Sequence, residues 1–167
     1  GVGRRIELLQ AFRQASIALG VDLKKYGVDS ADTAPALLYC DQARRVCKMS
    51  DPEYISQLCD ICRRDKIDMV IPTIDTDLLV LSENVSAFGK TKVLISAPDK
   101  IRICRDKNFT ADFFESCDCR APKTVNDYEK YSGMFPCFIK PCDGSSSINA
   151  YKVYSQEDLK TYAHQID

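Results

Sequence analysis

Residues 67–84 read IDMVIPTIDTDLLVLSEN, and the change of pattern inside them decides the fold. Ile67 to Ile74 is a largely apolar run of the kind found in strands covered on both faces. From Leu78 the apolar residues recur at helical spacing, with Leu78, Leu81, Val85 and Phe88 on one side and Gly89 as the stop. A covered strand that runs straight into a helix is the building unit of an α/β fold with a mostly parallel sheet. The junction Ile74-Asp75-Thr76-Asp77 then lies at the carboxyl end of a strand, where open α/β sheets bind ligands. Asp75 and Asp77 are candidate ligand contacts; an N-cap at Asp75 and a dipole-favoured first-turn acid at Asp77 are at least as common an alternative.

Working outward, the same alternation continues on both sides. Gly1-Val2-Gly3-Arg4-Arg5 leads into a predicted helix over 4–19, with Leu8, Phe12, Ala15 and Leu19 on one face and Gly20 as terminator. A strand should precede a glycine-rich turn of this kind, so the numbering is expected to begin just after one. The GxG partly matches a dinucleotide fingerprint, but Ile6 replaces its third glycine, which leaves a weak signal for a nicotinamide cofactor. Leu23 to Val28 is predicted as a strand that stops at Asp29-Ser30, where Asp29 either meets a ligand hydroxyl or caps the next turn. Residues 35–39 form a short helical or turn segment and 44–48 a short strand. Ser50-Asp51-Pro52-Glu53 reads as a capping box opening a helix whose buried stripe is Ile55, Leu58, Cys59 and Cys62. Lys92 to Ser96 is a further strand, and Ala97-Pro98 marks a domain boundary near residue 97.

The 167-residue length fits one domain or one small domain plus part of another, and 45% apolar with 28% charged residues predicts a real core. A net charge of −1 without a polybasic run gives no support to a nucleic-acid or membrane partner. No apolar stretch approaches the ~20 residues that span a bilayer, and no signal peptide is recognised, so a cytoplasmic location is expected. The nine cysteines are odd in number, and Cys59-x-x-Cys62 falls on a helix face, so these are expected as reduced core thiols rather than zinc ligands.

Beyond the boundary, helices are predicted over 99–104 and 106–117, with Phe109 and Phe113 four apart and Lys107 at the start of the second. A short polar helix near 127–131 precedes a hairpin over 135–153, FPCFIKPCDGSSSINAYKV, and a last helix covers 156–165. Within the hairpin, Phe138 and Lys140 share one strand face and Cys137 and Ile139 the other. Buried lysine needs a partner, so Lys140 points to an anion, and the loop after it offers hydroxyls and backbone N–H groups suited to phosphate oxygens. A surface hairpin with a polar turn and a snorkelling lysine is an equal alternative.

The segments GRRIELLQAF (3–12), DSADTAPALLYCD (29–41), MVIPTIDTDLLVLSEN (69–84), CRDKNFTADFF (104–114) and FIKPCDGSSS (138–147) occur in one order. In that order the chain resembles the amino-terminal half of ATP-grasp proteins, particularly carbamoyl phosphate synthase large-subunit-like members. The resemblance implies a Rossmann-like pre-ATP-grasp domain with a mostly parallel sheet over 1–97, and a truncated α/β ATP-grasp subdomain over 98–167. It implies that Lys107 and Lys140 hold ATP phosphates and that Gly144, Ser145, Ser146 and Ser147 form the covering loop. Less securely matched to the substrate-side crevice are Gly1, Gly3, Arg4, Asp29, Thr73, Asp75 and Asp77.

The loop departs from the family pattern, since Ser146, Ile148 and Asn149 stand where a glycine, an arginine and a glycine are common. The family's Mg2+ ligands and adenine clamp would lie beyond Asp167, so no metal ligand or catalytic residue is assigned here. The function implied is the amino-terminal part of an ADP-forming ligase that uses ATP and Mg2+ to activate an unknown carboxylate as an acyl phosphate, the part alone not being catalytic. A homodimer is left open. The alternative is a non-catalytic ligand- or partner-binding module of the same ancestry, and a nicotinamide-dependent oxidoreductase is a third reading that would require NADH binding by the first domain.

Overall fold

The computed structural model describes residues 1–144 and 146–166, so the loop candidate Ser145 lies outside the described residues. The chain divides into two compact units, Gly1–Pro98 and Asp99–Asp167. Mixed α/β structure with small parallel sheets is present, as the sequence predicts.

Unit 1 contains helices α1 (Ile6–Leu19), α2 (Tyr54–Arg64) and α3 (Leu78–Glu83), and strands β1 (Tyr26–Asp29), β2 (Gln42–Arg45), β3 (Met69–Val70) and β4 (Lys92–Val93). The strands form two parallel pairs. β1 pairs with β2, Gly27 opposite Ala43, and β3 pairs with β4, Val70 opposite Val93. Both crossovers carry helical turns, a 3-10 segment Pro35–Tyr39 in the first and α3 in the second, which is how parallel neighbours must be joined.

The core of unit 1 gathers Val46, Tyr54, Leu58, Cys59, Cys62, Leu81, Phe88 and Val93. The predicted α2 stripe is therefore real, with Ile55 half-buried at its edge and both thiols free and inside. Helix α1 forms where its periodicity places it and ends at Gly20 in the left-handed region, φ 66°. Yet it contributes no buried residue. Its predicted inner face is uncovered, with Leu8 39% and Leu19 76% exposed.

Two local expectations change. The capping box at Ser50 does not form: Asp51 Oδ1 accepts the Glu53 N–H at 2.9 Å, and α2 starts one residue later without a side-chain cap. Asp51 precedes Pro52 in a tight turn and reaches the helix entrance first. The apolar run 67–74 supplies only two strand residues, because Pro72 has no N–H to donate and Thr73 gives its carbonyl to Arg5 instead of a neighbouring strand.

Unit 2 takes up α4 (Pro98–Arg105), α5 (Lys107–Ser116), β5 (Cys137–Ile139), β6 (Tyr151–Val153) and α6 (Gln156–Ala163). Asp106 caps α5, accepting from Asn108 N–H at 2.8 Å, and Ser155 caps α6, accepting from Asp158 N–H at 3.1 Å. β5 and β6 are antiparallel, with Phe138 opposite Lys152. Val153, Leu159, Ala163 and Ile101 are buried, and Tyr151 stacks on Tyr162 at 4.4 Å between centroids. Phe109, Phe113 and Phe114 of α5 are exposed.

Candidate functional site

The candidate residues fall into two clusters, one in each unit. In unit 1 the cluster stands at the carboxyl ends of β1 and β3, where the backbone leaves the sheet and its polar groups must find other partners. Asp29, the last residue of β1, is 9% exposed, and its Oδ2 accepts the Gly3 N–H at 2.8 Å while Oδ1 accepts the Ala31 N–H at 3.0 Å. Burial alone would raise the pKa of this carboxyl. The N–H groups of Ala31 and Gly3 and the amino-terminal ammonium outweigh that penalty and hold it below the usual carboxylate range.

Asp77 is also buried, and its Oδ2 accepts both the Gly1 ammonium at 3.0 Å and the Tyr54 hydroxyl at 3.1 Å. Burial first, and then the Asp77 charge and hydrogen bond, push the Tyr54 hydroxyl far above the ordinary phenol range. Thr73 closes the ring by donating its hydroxyl to the Gly1 carbonyl at 2.6 Å. The turn Gly1–Gly3 is thus held from three sides. Gly3 has φ 51°, a conformation that glycine adopts without a steric penalty, and a Cβ at Gly1 would stand 2.7 Å from Asp29 Oδ2.

Of the crevice residues chosen from sequence, Gly1, Gly3, Asp29, Thr73 and Asp77 come together in this network. Asp77 is more than a helix-dipole acid, because it carries two long-range hydrogen bonds. Asp75 is exposed, and so is Arg4. It is the neighbouring Arg5 whose guanidinium reaches the Thr73 carbonyl, at 3.1 Å from Nη2. Sequence reasoning missed Arg5 and Tyr54. Tyr54 carries no local signal for this role, since its partner lies 23 residues away.

The second cluster is built on α5 and the loop after β5. Lys107 is the first residue of α5, and its Nζ donates to the carbonyls of Gly144 at 2.7 Å and Cys142 at 3.1 Å. Its backbone N–H also donates to the Cys142 carbonyl, at 2.9 Å. An ammonium has three donors, so one stays available to an anion. Ser146, Ser147 and Asn149 have φ of 57°, 58° and 56°. These left-handed conformations are those a glycine would take freely, and Ser146 and Asn149 are the positions where the sequence lacks the expected glycines.

Lys140 does not behave as a buried cation. It lies one residue past the end of β5 and is exposed, so water solvates it and burial no longer implies a waiting anion. The loop still sets Lys107 against turning backbone that carries the hydroxyls of Ser146 and Ser147, residue types suited to a polyanionic phosphate chain. Among the described residues no group of three or more His, Cys, Asp or Glu is placed to hold a metal ion. Among them, too, no helix is long and apolar enough to cross a membrane.

Comparison with known proteins bears on both units. Residues 1–95 match the family described as the PylC-like, N-terminal domain. The chain is 27% identical over 123 residues to D-alanine--D-alanine ligase B of Clostridium perfringens, covering 62% of this chain and 41% of that protein. It is 26% identical over 156 residues to 3-methyl-D-ornithine--L-lysine ligase of Methanosarcina acetivorans, covering 90% of this chain and 39% of that protein. The chain therefore spans about two-fifths of the length of these curated relatives. Among solved structures, N5-carboxyaminoimidazole ribonucleotide synthetase from Thermotoga maritima superposes with a TM-score of 0.66 at 17% identity, over 96% of this chain and 41% of that one. The fold is that of the amino-terminal region of ATP-grasp ligases.

Proposed function

Since this chain belongs to the PylC-like amino-terminal domain family, within the ATP-grasp superfamily, we propose that it is the amino-terminal part of an ATP-dependent, ADP-forming carboxylate ligase. The observation that carries this reading is the double hydrogen bond from Lys107 Nζ to the Cys142 and Gly144 carbonyls. It sets a cation against the small-residue loop that the resemblance assigns to the nucleotide phosphates. Residues 1–97 act as the pre-ATP-grasp domain and 98–167 as the first part of the ATP-grasp domain, with ATP as the nucleotide.

In the reaction proposed for the whole protein, a carboxylate oxygen attacks the γ-phosphorus, the bond to ADP breaks, and an acyl phosphate forms. An amine then attacks the acyl carbon and phosphate leaves. The contribution of these residues is positioning and charge neutralisation rather than bond making. Lys107 holds the loop and offers its remaining N–H to a phosphate oxygen. Lys140 supplies a second positive charge, and Ser146 and Ser147 offer hydroxyls. Mg2+, when bound, would neutralise the phosphate oxygens further, with ligands from outside the described residues. Asp29, Asp77, Thr73 and the Gly1–Gly3 turn shape the polar crevice on the substrate side.

The test is ATP affinity of the full-length protein and of its Lys140→Ala and Lys107→Ala variants, by calorimetry. Loss of affinity in both is expected; unchanged affinity in both sinks the proposal. The non-catalytic alternative draws on the left-handed Ser146 and Asn149, a loop that has kept its shape without its glycines. A full-length protein that binds ATP but releases no ADP with any amino-acid carboxylate and amine pair would favour that alternative.

A further inference from the structure

The carboxyl ends of β1 and β2 open on a polar pocket of ≈ 360 Å³, lined by Ser30, Arg45, Val46, Cys47, Lys48 and Gln57. That volume lies at the small end of the ~300–1,000 Å³ typical of small-molecule sites, and strand carboxyl ends are where open α/β folds bind ligands. None of the six residues belongs to the Asp29 and Asp77 network or to the phosphate loop. Ser30 follows β1, Arg45 ends β2, Lys48 lies in the loop after it and Gln57 stands on α2. The Gln57 carboxamide is fixed end for end: its Oε1 accepts the Cys47 N–H at 3.0 Å, so its NH2 is the end left for another partner. Among the described residues, no Asp or Glu lines the pocket, and neither the Arg45 guanidinium nor the Lys48 ammonium has a hydrogen-bond or ion-pair partner. Neighbouring Arg44 shows the contrast. Alternation along β2 turns it away from Arg45, and it is half-buried, with Nε 3.6 Å from Asp65 Oδ2 and Nη1 donating to Gln42 Oε1 at 3.1 Å. Partial burial first, and then the Asp51 charge, push the Cys47 thiol up, so it stays protonated and brings no negative charge to the pocket.

Two cations, a carboxamide NH2 and a hydroxyl therefore line one space without a carboxylate among them. The guanidinium fork matches two oxygens of a carboxylate or of a phosphate, and the lysine ammonium adds a point charge. We propose that this pocket is an oxyanion subsite, which takes a carboxylate or phosphate group of a small ligand between Arg45, Lys48, Gln57 and Ser30. The two groups share the chemistry required, a compact anion whose oxygens accept hydrogen bonds. Arg45 and Lys48 are exposed, so the attraction is screened by salt and weakens as ionic strength rises. The subsite belongs to unit 1 and the phosphate loop to unit 2, so occupancy of the subsite is read without ATP.

Titration of the full-length protein with succinate and with inorganic phosphate, at low salt and without nucleotide, tests the subsite by nuclear magnetic resonance. The reporters are the Cys47 amide and the Gln57 side-chain NH2, both of which belong to the pocket. Saturable shifts of both are expected with at least one probe, and the tighter probe tells a carboxylate ligand from a phosphate one. Arg45→Gln removes a charge-assisted contact and should weaken that binding at least ~10-fold. Arg44→Gln removes the same charge one residue away and should leave the titration unchanged. Equal effects of the two variants, whether both weaken binding or neither does, overturn the subsite, because they leave only unspecific attraction to a basic surface. Failure of both probes to move the Cys47 and Gln57 resonances overturns it as well. Should Arg45→Gln lose its fold, Lys48→Gln takes its place in the comparison.

Discussion

The Tyr54 hydroxyl donates to Asp77 Oδ2 across 3.1 Å with both side chains buried, tying the first turn of α2 to the entrance of α3. Removing the donor leaves a buried carboxylate short of a partner. Tyr54→Phe is expected to cost roughly 1–3 kcal/mol, read as a lower urea midpoint with unchanged slope. The same bond predicts an alkaline limb. The folded-state pKa of Tyr54 lies above its unfolded value, so this stabilisation is complete below about pH 10 and is lost as pH rises past it. Urea titrations across that range should show a flatter alkaline slope in Tyr54→Phe.

Asp29 predicts the opposite limb. Its folded-state pKa is depressed, so its contribution is present above the ordinary value of about 3.9 and is lost as pH falls through the folded value. Asp29→Asn is expected to be less stable at neutral pH and less sensitive to acid between about pH 5 and pH 2. An acid limb as steep in the variant as in the parent would count against Asp29 as its source.

Gly27 faces Cys40 so closely that an added Cβ would stand 2.5 Å from Sγ and 3.2 Å from Leu37 Cδ2. Gly27→Ala should therefore destabilise unit 1 by about 1–3 kcal/mol through overpacking. Adding Cys40→Ala should recover most of that loss, since it removes the sulfur that the new methyl meets. Equal destabilisation by the single and double variants would show that the backbone, not Cys40, resists the change.

Lys107 separates a structural tie from a ligand contact. Lys107→Ala in the full-length protein removes the loop tether and one phosphate donor, and a charge-assisted bond of roughly 1.5–3 kcal/mol corresponds to about 10- to 150-fold weaker ATP binding. Lys107→Arg keeps the charge but not the compact ammonium, so it should fall between the two. Isothermal titration of the three proteins gives the order directly.

Much of the fold was legible because it rests on local patterns. The strand-to-helix switch in 67–84, the α2 stripe of Leu58, Cys59 and Cys62, and the helices that start near residues 106 and 156 depend on neighbours a few residues apart. Of the crevice, Asp29 and Asp77 were picked out by their places at strand ends, whereas Gly1, Gly3 and Thr73 entered only through the resemblance. Arg5 and Tyr54 were not legible, because their roles come from partners 68 and 23 residues distant. For Lys140 the sequence left a buried cation and a surface one as equal readings, and only packing could tell that the position is open to solvent.

By itself the sequence determined where apolar periodicity changes, and hence the order of strands and helices, the glycine stop of α1 and the absence of a polybasic or membrane-length run. The tertiary structure decided which strand edges are joined, and that Asp77 receives Tyr54 and Gly1 together. The physical reason is range. Backbone propensity and side-chain spacing act over a turn or two, whereas edge pairing and the solvation of a buried carboxylate are settled by groups that only folding brings within hydrogen-bonding distance.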